Sequence, residues 1–274
     1  MNTRKFGIEI EAHNVCRYDV AEAIQQAGVQ ARAEGYNHGV RTYWKVITDA
    51  SLSGRDSFEL VSPILEGEAG VTEAIKAVKA VREAGARVNG SCGFHVHIDC
   101  RDLSLKQIKN VIKSYANNED IFDALMPASR RGNRAHYTGS MIGNNAEASP
   151  EIRLQATKAF FEMVDGCTTV QQLANLITTR YKKLNVHSFL QYGTLEFRHH
   201  SGTVNETKVA NWVNFCAAFV EHAATTKAGI RAWAPNRMTT TERLRTVLRM
   251  LDRTDLLPYY TARIKELKRN SDAE

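Results

Sequence analysis

The segment RKFGIEIEAH at residues 4–13 decides how the chain is read. Phe6, Ile8 and Ile10 alternate with Gly7, Glu9 and Glu11. A period of two belongs to a β-strand, here with one face in a core and two carboxylates on the other. The pattern returns three times: Phe58 and Leu60 flank Glu59; Phe94, Val96 and Ile98 alternate with His95, His97 and Asp99; Leu195 and Phe197 alternate with Thr194, Glu196 and Arg198. An antiparallel sheet with one wet face is the commonest source of such alternation. In this chain, however, the outward positions are almost all Glu, His or Asp, where Thr, Lys, Ser and Gln would ordinarily dilute them. Carboxylates crowded on one face repel one another and call for compensating cations. Carboxylates mixed with one or two imidazoles suit Mg²⁺ or Mn²⁺.

Working outward, period-2 segments place strands near 4–13, 29–34, 42–48, 56–62, 91–100, 184–189 and 193–199. Period-3.6 segments place helices at 68–84, 104–125, 205–227, 239–252 and 256–269. Val71, Ala74, Ile75, Val78 and Val81 form one helical stripe, and Leu105, Ile108, Ile112 and Tyr115 another, both typical of amphipathic packing helices. The mixture predicts an α+β fold. Residues 127–150 (PASRRGNRAHYTGSMIGNNAEASP) have no period and read as a long loop, a frequent home of function. Residues 229–236 (GIRAWAPN) read as a hinge, dividing a catalytic domain over 1–228 from a helical C-terminal extension over 229–274 packed on it.

Composition narrows the class. With 274 residues, 43% hydrophobic and 24% charged, the chain can bury a full core. No segment approaches the roughly 20 apolar residues of a membrane span, and the first residues lack an apolar signal-peptide core, so a cytoplasmic protein without membrane association is expected. Five cysteines with no CxxC pairing predict reduced, structural thiols. The net charge of +6 admits nucleic acid, another polyanion or a phosphorylated substrate. Nucleic acid is weakly indicated, because RNP, zinc-finger and basic-zipper patterns are absent and Arg263, Lys265, Lys268 and Arg269 suit the solvated face of a last helix.

The chain has neither GxxxxGK[ST] nor a helix-opening GxGxxG, so a bound nucleotide would be held through metals. Arg198 stands two residues from Glu196 on the same face, and a cation cluster beside a guanidinium is what phosphoryl transfer needs. Arg130, Arg131 and Arg134 in the long loop are candidates for closing over an anionic substrate. His95-Val96-His97-Ile98-Asp99 also matches the H-x-H-x-D start of metal-dependent hydrolases, although Cys100 follows and the adjacent His199 and His200 point to opposite faces. A metal-dependent amidase or hydrolase, and a non-catalytic nucleotide- or polyanion-binding protein, therefore stay open as alternatives.

FGIEIE (6–11), TDASL (48–52), FELVSPIL (58–65), GFHVHID (93–99), SRRGN (129–133) and TLEFRHHSGT (194–203), with the helix opening NETKVANWVNF, together resemble the amidoligase family. That family is a distant relative of glutamine synthetase and glutamate–cysteine ligase. The resemblance implies a glutamine synthetase-like, curved, mostly antiparallel sheet flanked by helices and forming an active-site funnel. ATP would enter one end and the carboxylate substrate the other, with two or three Mg²⁺ or Mn²⁺ ions between them. Carried over by motif position, Glu11 with Glu59 and Asp49 would hold the cation nearest the acceptor carboxylate and the attacking amine. Glu9, His95 and Glu196 would hold the cation bridging the ATP phosphates, and Arg198 would contact the γ-phosphate. His97 and Ser201 to Thr203 would stand behind these ligands. The implied reaction is ATP-dependent amide formation between a small-molecule or peptide carboxylate and an amine, with Arg130 and Arg131 on a lid over residues 130–145. Rings formed by glutamine synthetase relatives extend the expectation to a homo-oligomer.

Overall fold

A computed structural model describes residues 3–133, 135–233 and 238–272. Arg134, and residues Ala234 to Asn236 of the expected hinge, lie outside the described residues. In chain order the elements are β1 (Lys5–Ala12), α1 (Arg17–Gln26), β2 (Ala31–Ala33), β3 (Trp44–Ile47), β4 (Phe58–Val61), β5 (Leu65–Glu66), α2 (Gly67–Glu83), β6 (Gly93–Asp99), α3 (Leu105–Ala124), α4 (Pro150–Gly166), α5 (Val170–Ile177), β7 (Leu184–Asn185), α6 (His187–Tyr192), β8 (Thr194–Ser201), α7 (Glu206–Thr225), α8 (Thr240–Met250) and α9 (Leu257–Asp272). The chain folds as two compact units, one from residues up to Asp99 with His200–Ala217, the other from Cys100–His199 with Ala218 onward. The fold is mixed α+β, and its strand pairs are mostly antiparallel.

In the first unit the strands run in the order β2-β3-β4-β1-β6, with β5 also on β1; β2 and β3 are the parallel pair. Register follows from the apolar alternation. Phe6, Ile8 and Ile10 stand opposite Ile98, Val96 and Phe94, and Ile10 also opposite Leu60, which in turn faces Val46. All of these are buried. A one-residue slip would move the whole set to the other face, and each buried aliphatic or aromatic side chain contributes about 1.5–3 kcal/mol, so the register is strongly specified. Helices α1 and α2 bury Val20, Ala21 and Ile24, and Val71, Ala74, Ala77, Val78 and Val81. His200 packs edge-on against Phe94 and beside Trp212 on α7, with ring centroids 5.3 Å apart in each pair.

The second unit is organised on α3, which starts in a capping box between Ser104 and Gln107. The expected stripe is only part of its packing surface. Asn110, Lys113, Ser114, Asn117, Asn118 and Glu119 are buried as well, which makes α3 a helix enclosed on several sides and held partly by polar contacts. Arg243 of α8 donates to Asp120 at 2.8 Å, and the carbonyl of Arg231 accepts from Asn117 at 2.9 Å. The described part of the expected hinge is thereby tied to α3.

One strand expectation is corrected. Residues 184–189 are extended only at Leu184–Asn185; the chain then turns into α6. The side chain of Asn185 accepts from the His187 amide at 2.8 Å, and Gly193, with φ +71°, ends the helix in the left-handed region. Helices α1, α4 and α5 join those read from periodicity. The last two begin at N-caps, Ser149 before Pro150 and Thr169 before Val170. The described residues of 127–149 hold two short 3-10 turns and are otherwise irregular, as expected, and Pro150 opens α4. All five cysteines are free, and among the described residues no helix is long and apolar enough to cross a membrane.

Candidate functional site

The strand register that buries the apolar face of the first unit gathers the charged residues on the other. Residues directly opposite in antiparallel strands point to the same side, so Lys45, Val61, Glu9 and His95 form one rung, and Ile47, Glu59 and Glu11 the next. His95 Nδ1 lies 3.2 Å from Glu9 Oε2, and His97 Nε2 lies 3.4 Å from Glu9 Oε1. The Gly93 amide donates to Glu11 Oε2. A Cβ at Gly93 would come within 2.8 Å of His95 Nε2 and 3.2 Å of Glu11 Oε2, so a glycine is what lets both side chains lie over the strand.

The electrostatics of this face are uneven. Burial acts to raise Glu9, but the charges and hydrogen bonds of His97 and His95 outweigh it and hold its carboxyl well below the usual range. Glu59 goes the other way: burial, then the charges of Glu9, Glu11 and Asp49, push it well above the usual range, with Lys45 partly offsetting them. Lys45 is buried and spends its ammonium on the carbonyls of Asn37 at 2.8 Å and Gly39 at 3.0 Å. Asp49 serves in a turn, accepting from the Ser51 amide at 2.8 Å, and still bears on Glu59 by charge. A face where one carboxyl is pushed up by three others is short of positive charge. Oxygen donors with an imidazole match a hard divalent cation, and Glu9 and His95 belong to a group able to hold one.

In the second unit Glu196 is buried and both of its oxygens are engaged. Asn185 Nδ2 donates to Oε2 at 2.6 Å, and the Arg198 guanidinium pairs with Oε1. Sequence spacing had placed Glu196 and Arg198 on one face, and there they meet. Arg130 sits in a 3-10 turn and is buried, its carbonyl 2.8 Å from His199 Nε2. Arg131 donates from Nε to the Met126 carbonyl at 2.8 Å.

The family model described as "Putative amidoligase enzyme" matches residues 2–220. The chain belongs to this amidoligase family. No curated protein matches it. The match spans the carboxylate face of the amidoligase and every motif that carries the resemblance. Three features of the amidoligase escaped the sequence reading. Lys45 breaks the apolar run of the WKVI strand, a signal that marks it as special without saying what it holds. Gly93 begins the GFHVHID strand, where only the register reveals its closeness to Glu11. Glu119 and Asp123, one helical turn apart on α3, reveal a shared partner only once Lys183 is seen between them.

Proposed function

We propose that this amidoligase is an ATP-dependent carboxylate–amine ligase that forms an amide bond through an acyl phosphate. The observation that carries the reading is the Glu9–Glu11–Glu59 face with His95, where burial, then the charges of Glu9, Glu11 and Asp49, push Glu59 up and call for a cation. Glu11, Glu59 and Asp49 are assigned to the cation nearest the acceptor carboxylate, and Glu9, His95 and Glu196 to the one nearest the ATP phosphates. Bound Mg²⁺ or Mn²⁺, two or three ions in all, would neutralise phosphate charge. The glutamine synthetase-like funnel implied by the resemblance goes with this assignment.

A carboxylate is a poor acyl donor because oxide would have to leave. Transfer of the γ-phosphoryl group to it makes phosphate the leaving group, and an amine then attacks. Both steps build negative charge. Arg198 is suited to stabilise that charge, since its pairing with Glu196 fixes the guanidinium before substrate arrives. Glu196, oriented by Asn185 as well, keeps its carboxylate in one pose. His95 and His97 each face Glu9, which favours a mixed carboxylate–imidazole set over the paired histidines of a hydrolase.

The deciding experiment is a screen for ADP release over pairs of amino acids, peptides and amines with Mg²⁺ or Mn²⁺. Release that requires carboxylate and amine together, and is lost in Glu11→Ala, is expected. Amide cleavage without nucleotide would overturn the reading.

A further inference from the structure

Within the second unit, residues 130–133 and 135–141 are tied to a largely buried charged network. Lys183 has a fully buried side chain and donates to Glu119 Oε1 at 2.8 Å and Asp123 Oδ1 at 2.6 Å. Each carboxylate turns its other oxygen to the segment: Glu119 Oε2 accepts from the Met141 amide at 3.0 Å, and Asp123 Oδ2 accepts from the Gly132 amide at 2.9 Å. His199 Nε2 faces two acceptors, Asp123 Oδ1 at 2.9 Å and the Arg130 carbonyl at 2.8 Å, and so carries a proton. Its Nδ1 is then the acceptor for the Tyr115 hydroxyl 3.1 Å away. Lys182 adds a bond to the Ser140 carbonyl at 2.8 Å, and the backbone of Gly139 pairs with Tyr181 and Lys183 at 2.8 and 2.9 Å. Gly132 is at φ +60°, a backbone conformation that strains any side chain, and a Cβ there would also displace the Glu147 carboxylate.

We propose that Lys183, Glu119, Asp123 and His199 fasten residues 130–133 and 135–141 as a fixed wall of the second unit, so that this part of the chain is not a lid that swings. Opening the segment would break the bonds made by the amides of Gly132, Gly139 and Met141 and by the carbonyls of Arg130, Gly139 and Ser140, and would take one donor each from Glu119 and Asp123. Buried polar groups without partners are costly, and a charge network of this kind holds one arrangement or fails as a whole. A hinged lid is drawn from the least protected parts of a fold, whereas this segment is fastened to α3, to residues 181–183 and to His199 of β8.

Hydrogen exchange on the full chain tests the wall. The Gly132 and Met141 amides are expected to be protected like those of α3, and Asp123→Asn or Lys183→Met to speed their exchange at least about tenfold while α8 stays protected, as loss of charge-assisted bonds predicts. Rapid exchange of these amides in the unaltered protein, or exchange unmoved by either variant, would overturn the wall.

Discussion

Glu11 stands directly opposite Glu59 across the β1–β4 pair, with both carboxylates on the face that also carries Glu9 and His95. Like charges directly opposite in a sheet destabilise it. The arrangement is costly without a cation and favourable with one. Mn²⁺ or Mg²⁺ should raise the melting temperature of the unaltered protein, by the equivalent of about 2.7 kcal/mol at a concentration one hundred times the Kd. Glu59→Gln should leave the cation-free protein as stable or more so, and should shrink the cation's effect. Thermal unfolding with and without cation and chelator checks both.

Gly93→Ala places a methyl 2.8 Å from His95 Nε2 and 3.2 Å from Glu11 Oε2. Overpacking of this kind costs about 1–3 kcal/mol. A folded but weakened protein is expected, with cation affinity reduced at least tenfold because both side chains must shift. Circular dichroism and a cation titration separate the two effects.

Arg198→Lys retains the charge but loses the planar fork that lets a guanidinium pair with Glu196 and reach a phosphate at once. Turnover measured as ADP release should fall about 10²–10³-fold, the usual effect of removing one donor to developing charge. Thermal stability should change little by comparison.

Burial lowers the pKa of His199 below its ordinary 6.5, against the opposing hydrogen bond that the ring donates to Asp123. The unfolded chain then binds a proton that the folded one resists. The stability this neutral ring contributes is present above pH 6.5 and is lost as pH falls from there toward the folded-state pKa. Denaturant midpoints should therefore drop as the pH is lowered from 7 to 5, and His199→Gln should flatten that drop while lowering stability at pH 7.

How much of this was legible beforehand varies with the distance over which the signal acts. The alternation in FGIEIE, GFHVHID and TLEFRHHSGT announced strands with a charged face, because side-chain direction along a strand depends on the strand alone. The segment after Leu184 misled, since a turn made by Asn185 and ended by Gly193 outweighs the strand character of the residues between. The apolar stripe of α3 gave no hint that Glu119 and Asp123 lie inside, because their partner Lys183 is some sixty residues away in the chain.

By itself the sequence determined the α+β class, the family, and which residues carry the charges of the candidate site. Only the tertiary structure decided that Glu11 faces Glu59, that Gly93 must be bare for His95 and Glu11 to lie where they do, and that residues near Arg130 are fastened to α3. The physical reason is that periodicity reports the direction of a side chain relative to its own backbone. Charge repulsion, close approach and the burial of an ion pair depend on which other strand or helix comes to lie against it.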